Sequence, residues 1–370
     1  MSSRSRRSPS AAPRVNLPCA SGAYRCNALA SALHMPAAVC TLCGGLAGTD
    51  DYNTPRTMAG PQPPRGDTCA KETQHPMRYA APVTIEEAVG LLAAEAGQSR
   101  LIAGGTDLVV QLNSGRVAPA LVVDVKRISP LRAITAEGGG YRIGAAVPCA
   151  ELGEHAALTQ LWPGVVEAAQ LIGSTQVQGR ATIVGNLCNA SPAADSVPAL
   201  VAAGATARIV SPRGRRDVPV EDVPSAPGQT SLARDEIVES ILLPARAARS
   251  GDAYLRFIPR TEMDIAVVGV GVSLTLDAAG TCTSARVALG AVAARVLLVP
   301  AAAQAIIGSK LDEAALARLA AAASAACKPI DDKRGTIEFR VDVAGVLARR
   351  AALQAQARAQ ATVSSNARGN

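Results

Sequence analysis

Apolar residues recur with structure-forming periods from residue 77 onward and show no sustained period before it. Thr84-Ile85-Glu86-Glu87-Ala88 opens an amphipathic helix. Thr84 and Glu87 have capping-box spacing, and Ala88, Leu91, Leu92 and Ala94 supply an apolar face. Leu101–Ala103 forms a short apolar strand, a helix follows to about Asn113, and Leu121–Val125 is a continuous apolar strand. Together they predict a small β-α-β unit. Residues 131–144 alternate around Gly138-Gly139-Gly140 and read as a hairpin. Helices are predicted over Cys149–His155, Trp162–Leu171 and Val197–Ala203, and strands over Ala207–Val210, Arg216–Val220 and Glu236–Leu243. Tyr254–Arg260, Val267–Leu276 and Thr283–Val292 alternate as three antiparallel strands. Helical patterns follow over Ala301–Ile307, Glu313–Ala325 and Arg340–Gln354. From about Ala355 the sequence is of low complexity, and a frayed tail is expected.

The first 76 residues are rich in Ser, Pro, Arg, Ala and Gly, a composition of disordered chain. The expected division is a disordered or spurious extension (1–76), a first lobe (77–130), a second lobe (131–249), a C-terminal α+β domain (250–354) and a flexible tail (355–370).

Composition narrows the function. The chain has 370 residues, of which 48% are hydrophobic, enough for a sizeable core. Aromatics make up only 2%, which leaves little surface on which to stack single-stranded nucleic acid. The net charge of +7 comes largely from scattered arginines near the termini and forms no nucleic-acid footprint. The longest apolar run, Ala288–Ile307, is interrupted by Arg295, Pro300 and Gln304, so no membrane span is predicted. Arg6-Arg7 precedes no continuous apolar segment, and cytoplasm is the expected compartment. Cys40 and Cys43 form a CxxC, but no second pair stands at metal-binding spacing, so no metal site is expected. The only histidines are His34, His75 and His155, and no Ser–His–Asp set stands out.

Two loops carry the candidate chemistry. The first is Leu101-Ile102-Ala103-Gly104-Gly105-Thr106-Asp107-Leu108, a strand, a glycine pair, then Thr106 as the expected helix N-cap. The second runs from Arg180 through Thr182-Ile183-Val184-Gly185-Asn186 to Asp195, just before an apolar helix. Small residues allow close approach to the backbone, and N–H groups in such loops attract anions. The second loop alone reads first as an ordinary strand-to-helix connection. Two in one chain suit a diphosphate held from both sides.

These loops resemble the AGGTD and TIGGN double-glycine motifs of the FAD-binding medium subunits of molybdenum hydroxylases. That family includes the medium chains of carbon monoxide dehydrogenase and of xanthine dehydrogenase-like enzymes. Further resemblance lies in Ile172 to Val177, Asn189 to Asp195, Met263 to Gly269 and Pro329 to Gly335, within a stretch from about Met77 to Leu353. The resemblance implies an α+β fold: a two-lobed FAD-binding domain of the PCMH (vanillyl-alcohol-oxidase-like) type, followed by a C-terminal domain of a three-stranded antiparallel sheet plus helices.

It implies an FAD-dependent oxidoreductase subunit that passes electrons from a small [2Fe–2S] subunit to NAD⁺, quinone or another acceptor. A large subunit would hold molybdopterin, in a dimer of heterotrimers, with no metal on this chain. By the same resemblance, Gly104, Gly105, Thr106 and Asp107, flanked by Leu101, Ile102, Ala103 and Leu108, hold one side of the diphosphate. Thr182, Ile183, Val184, Gly185 and Asn186 hold the other. Asp195 matches an acid near the nucleotide half, and capping the next helix is compatible with that role. Ile172 and Val238 match apolar positions lining the cofactor, and both also suit plain core. Arg256, Arg260, Asp264 and Ile265 belong to a segment bordering the flavin ring, where a cation stabilises a reduced, anionic flavin. Val184 departs from the motif by replacing a glycine, and a β-branched residue resists positive φ. Two other readings remain at this point: a self-contained flavoenzyme of the same fold, and a non-catalytic scaffold that has lost FAD, which rests on Val184.

Overall fold

The computed structural model describes residues 77–366 apart from residue 96. The expected N-terminal extension, with its CxxC, His34 and His75, lies outside the described residues.

The first lobe contains β1 (Arg78–Ala80), α1 (Ile85–Ala94), β2 (Ser99–Ile102), α2 (Leu108–Asn113) and β3 (Leu121–Asp124). Its strands form a parallel sheet in the order β1-β3-β2. Thr84 caps α1, its Oγ1 accepting from the Glu87 N–H at 3.2 Å, while the Glu87 carboxylate reaches one residue further back than a capping box requires and accepts from Val83 N–H at 3.1 Å. Ile85, Ala88, Val89 and Leu92 are the buried face of α1.

The second lobe begins with the predicted hairpin, β4 (Ile134–Glu137) and β5 (Gly140–Gly144). Five short helices follow: α3 (Cys149–Glu154), α4 (Ala156–Leu161), α5 (Pro163–Gln170), α6 (Thr175–Gln178) and α7 (Ile183–Cys188). Next come α8 (Ser196–Ala203), β6 (Thr206–Ser211), β7 (Gly214–Pro219), β8 (Pro224–Ala226), β9 (Gln229–Thr230) and β10 (Ile237–Leu243). Five strands make an antiparallel sheet, β4-β5-β10-β6-β7. Every residue of α8 is buried, as expected of a helix that is apolar all round.

The last part contains β11 (Ser250–Phe257), β12 (Val268–Leu276), β13 (Cys282–Gly290), β14 (Leu297–Leu298), α9 (Pro300–Gln304), α10 (Glu313–Ala326) and α11 (Ile337–Asn366). The antiparallel sheet has a fourth, two-residue strand beyond the three predicted, because Leu297–Leu298 pairs with Ala288–Leu289. Side chains alternate across β11. Ala253 and Leu255 face a core shared with α10 and α11, whereas Asp252, Tyr254 and Arg256 point toward the second lobe.

The helix expected to end near Gln354 continues to Asn366. Ala355 and Ala359 are fully buried, so the alanine-rich stretch is a packing surface here. Gly251 is where this surface meets the sheet: a Cβ there would lie 1.8 Å from the Ala355 carbonyl oxygen. Gly251→Ala is expected to destabilise the protein by about 1–3 kcal/mol, the cost of overpacking. Thermal denaturation measures it, and an unchanged midpoint would mean that α11 does not dock there.

Candidate functional site

The first loop leaves the parallel sheet at Ile102 and enters α2 at Leu108. Leu101 and Ala103 are half-buried against the first core. Gly105 has φ +78°, a conformation that side-chain-bearing residues rarely adopt. Gly104 is needed for a different reason: a Cβ there would lie 2.0 Å from the carbonyl oxygen of Arg180. The backbone of the first loop therefore rests on the residue that leads into the second. Among the described residues, the N–H groups of Gly104, Gly105 and Thr106 meet no acceptor.

Asp107, not Thr106, is the N-cap of α2, and its side chain makes no capping bond. The carboxylate is engaged elsewhere: it accepts from Asn189 Nδ2 at 3.2 Å, and Asn189 Oδ1 accepts from Gln111 Nε2 at 3.3 Å. These bonds latch α2 to the residue that ends α7. Asn189 and Gln111 were not singled out as site residues, because a latch between residues 78 apart leaves no local sequence signal.

The second loop is not the open polar connection that its composition suggests. Residues 183–188 wind into α7, capped by Thr182 Oγ1, which accepts from Gly185 N–H at 2.9 Å. Val184 lies inside this helix at negative φ, so the missing glycine carries no backbone penalty. The Ile183 and Val184 side chains are buried in the core. Asn186 Oδ1 accepts from the N–H of Ser196 at 3.2 Å and from its hydroxyl at 2.7 Å, tying α7 to α8. Val238 is buried in β10 beside a register shift, and Ile172 is half-buried against the same core.

Asp195 sits at the N-cap position of α8 but does not cap it. Its carboxylate accepts from Tyr254 Oη at 3.0 Å and Arg256 Nη1 at 2.8 Å, both from β11. Burial pushes the Asp195 carboxyl up, against the pull of Arg256, and pushes the Tyr254 phenol well above 10.0. Tyr254 is therefore a donor locked in its neutral form. It is a further member of the site that sequence reasoning missed, although its spacing of two from Arg256 on an alternating strand was the available signal.

Asp264 and Ile265 lie in the β11–β12 connection, away from this cluster. Asp264 pairs with Arg260 at 3.2 Å, which holds its carboxyl low, and Ile265 is 51% exposed. His155 Nδ1 accepts from Leu158 N–H at 3.1 Å, capping α4, and its ring meets Tyr141 edge-on.

Comparison with known proteins fits this geometry. The model of the FAD binding domain in molybdopterin dehydrogenase matches residues 74–246, and that of the CO dehydrogenase flavoprotein C-terminal domain matches residues 253–355. The carbon monoxide dehydrogenase medium chain of Hydrogenophaga pseudoflava is 31% identical over 280 residues, covering 76% of this chain and 97% of that one. The chain belongs to the FAD-binding medium subunits of the molybdenum hydroxylases. The xanthine dehydrogenase FAD-binding subunit of Escherichia coli O157:H7 is 35% identical over 217 residues, 58% of this chain and 74% of the relative. A solved structure of Hydrogenophaga pseudoflava carbon monoxide dehydrogenase superposes with a TM-score of 0.73 at 33% identity, covering 76% of this chain and 98% of that one.

This medium subunit is thus an FAD-dependent oxidoreductase component with FAD as its cofactor. Among the described residues no group of three or more His, Cys, Asp or Glu is placed to hold a metal ion. Burial pushes the thiols of Cys149 and Cys188 up to about 12, which removes them as nucleophiles at neutral pH. Also among the described residues, no helix is long and apolar enough to cross a membrane.

Arg256→Met leaves the buried Asp195 carboxyl with Tyr254 alone. Removing one partner of a buried pair costs about 3–5 kcal/mol. The folded-state value of Asp195, already above the ordinary 3.8, rises further in the variant. The penalty is therefore largest while Asp195 is ionised in both folded proteins, and it shrinks as pH falls through the raised folded-state range of the variant and then of the wild type, above 3.8. Chemical denaturation of both proteins at neutral and acid pH measures this. A loss independent of pH would show that Asp195 is not the group left uncompensated.

Proposed function

We propose that this chain is the electron-relay subunit of a molybdopterin-dependent hydroxylase or dehydrogenase. A large partner subunit holds molybdopterin and oxidises the substrate, and a small partner subunit carries [2Fe–2S] clusters. FAD exchanges one or two electrons, so it supplies the junction between those clusters and NAD⁺, quinone or another acceptor. The relatives named for carbon monoxide and xanthine share this subunit type, which favours a substrate chosen elsewhere in the complex. In this reading the complex would work in the cytoplasm as a dimer of heterotrimers.

The observation that carries the reading is the contact of Gly104 with the Arg180 carbonyl, which sets two helix-opening loops against each other. First-turn N–H groups lack intrahelical partners, and the helix dipole favours an anion there. The N–H groups of Gly104, Gly105, Thr106 and Asp107 would take one side of the diphosphate, on the footing of Leu101–Ala103 and Leu108. Those of Ile183 and Val184, the hydroxyl of Thr182 and the amide NH₂ of Asn186 would take the other, while Gly185, its N–H spent on the Thr182 cap, would leave the approach free of a side chain. A carboxylate repels phosphate, so Asp107 serves through its backbone while its side chain latches Asn189. Asp195 would border the nucleotide half, Ile172 and Val238 would back the apolar wall, and Arg256, Asp264 and Ile265 would edge the flavin ring.

The visible spectrum of the full chain, followed by heating and identification of any released chromophore, tests the reading. Oxidised-flavin bands with FAD in the supernatant are expected. A folded chain that stays colourless, with no spectral change on adding FAD, would overturn it.

A further inference from the structure

We infer that Lys126 positions the first glycine loop for its ligand, by clamping the Ala103 carbonyl. The inference rests on the FAD reading above and adds a residue outside both glycine motifs.

Strands β2 and β3 run parallel and end level, with Ile102 in register with Asp124. Loops at the carboxyl ends of parallel strands are where ligands bind in open α/β sheets. Immediately after β3 the chain makes a 3₁₀ turn over Val125–Arg127 that brings Lys126 back across the sheet end. Asp124 is buried, and three donors fix its carboxylate: Lys126 N–H at 3.0 Å, Lys126 Nζ at 2.8 Å and Tyr79 Oη at 2.5 Å. Burial pushes this carboxyl up, but the bonds from Lys126 and Tyr79 outweigh it and hold it below the ordinary range. Asp124 therefore stays ionised and holds the ammonium in place. The same Nζ donates to the Ala103 carbonyl oxygen at 3.0 Å.

That last bond has a directional consequence. A peptide unit is planar and trans, so its C=O and N–H point opposite ways. With the Ala103 oxygen tied toward Lys126, the Gly104 N–H is turned away from Lys126. The bare Cα of Gly104 then rests on the Arg180 carbonyl. The clamp thus sets the direction of the first donor in the loop, and Gly105, at φ +78°, continues from that fixed peptide. Because Asp124 balances the charge of Lys126, the pair acts through orientation more than through attraction at a distance. A lysine side chain has many rotamers, and it takes a buried anchor such as Asp124 to hold one of them.

The test is FAD titration of the deflavinated full chain, followed by flavin fluorescence, for wild type, Lys126→Met and Lys126→Arg, with the FAD release rate measured alongside. Lys126 is about one-third exposed (32%), so methionine keeps the packed stem of the side chain. Lys126→Met is expected to weaken FAD binding by about tenfold or more, the worth of one charge-assisted hydrogen bond, mostly through faster release. Lys126→Arg, which keeps a cationic donor, is expected to recover most of the affinity. Wild-type affinity in Lys126→Met, or an arginine variant as weak as the methionine one, would overturn the clamp. Should Lys126→Met fail to fold, Lys126→Gln decides: its shorter, neutral side chain cannot reproduce the ammonium bond to the Ala103 carbonyl, and wild-type affinity there would overturn the clamp equally. A wild-type chain that binds no FAD in the same titration would instead overturn the cofactor reading.

Discussion

A carboxylate buried at the start of an all-apolar helix needs a cation, and the structure around α8 is arranged to provide one. Asp195 lies in the second lobe, whereas its partners Tyr254 and Arg256 come from the sheet of the last domain. Even-numbered positions of β11 face the second lobe because side chains alternate along a strand. Burying Asp195 without Arg256 would leave an uncompensated charge, so the two parts of the chain can fold against each other in only one register. Asp252 repeats the device two residues earlier: its carboxylate accepts from Arg246 at 2.9 Å and from the Val165 N–H at 3.2 Å. Arg246 lies over the Trp162 ring, 4.5 Å from its centroid. Two polar anchors on one face of β11 thus fix the sheet that walls the second loop.

The candidate site depends on that fixity because it is built mainly from backbone. Its donors are peptide N–H groups whose directions follow from chain path alone. Gly104 can lie against Arg180 only without a Cβ, and Gly105 can turn only at positive φ. Side chains of the site largely bind within the protein: Asp107 holds Asn189, Asn186 holds Ser196, and Thr182 accepts from the Gly185 N–H. Such side chains set where the peptide groups sit. Val184 in place of glycine puts no strain on the chain, since within α7 it keeps a negative φ and buries its side chain.

The parts legible from sequence are those governed by local rules. The cap at Thr84, the β2–α2–β3 unit, the hairpin at residues 134–144 and the three long strands of the last sheet follow from spacing and alternation. The two loops were visible because small residues and glycine stand between apolar segments there. Features set by distant contacts were not visible. Thr106 looks like a cap, but Asp107 takes the position and is drawn off to Asn189. Residues 183–188 read as loop because Val184, Gly185, Asn186 and Cys188 are weak helix formers, yet the Thr182 cap and burial of Ile183, Val184 and Leu187 stabilise a short helix. The alanine-rich end of α11 reads as low complexity until β11 offers Gly251 beneath it.

The same distinction separates holding a cofactor from reacting with a substrate. A catalyst of proton transfer needs an ionisable group poised near neutrality and open to its substrate. In this chain Tyr254 is neutral and buried, Asp195 is paired with Arg256, His155 caps a helix, and Cys149 and Cys188 are held as thiols. Among the described residues, the two loops offer backbone donors at the mouths of two short helices. Those donors suit a charged, redox-active group that arrives with its own chemistry. Electron transfer asks of the protein mainly that such a group be held at a fixed place, and a fixed place is what the glycine contacts, the Asn189 latch and the β11 ion pairs supply.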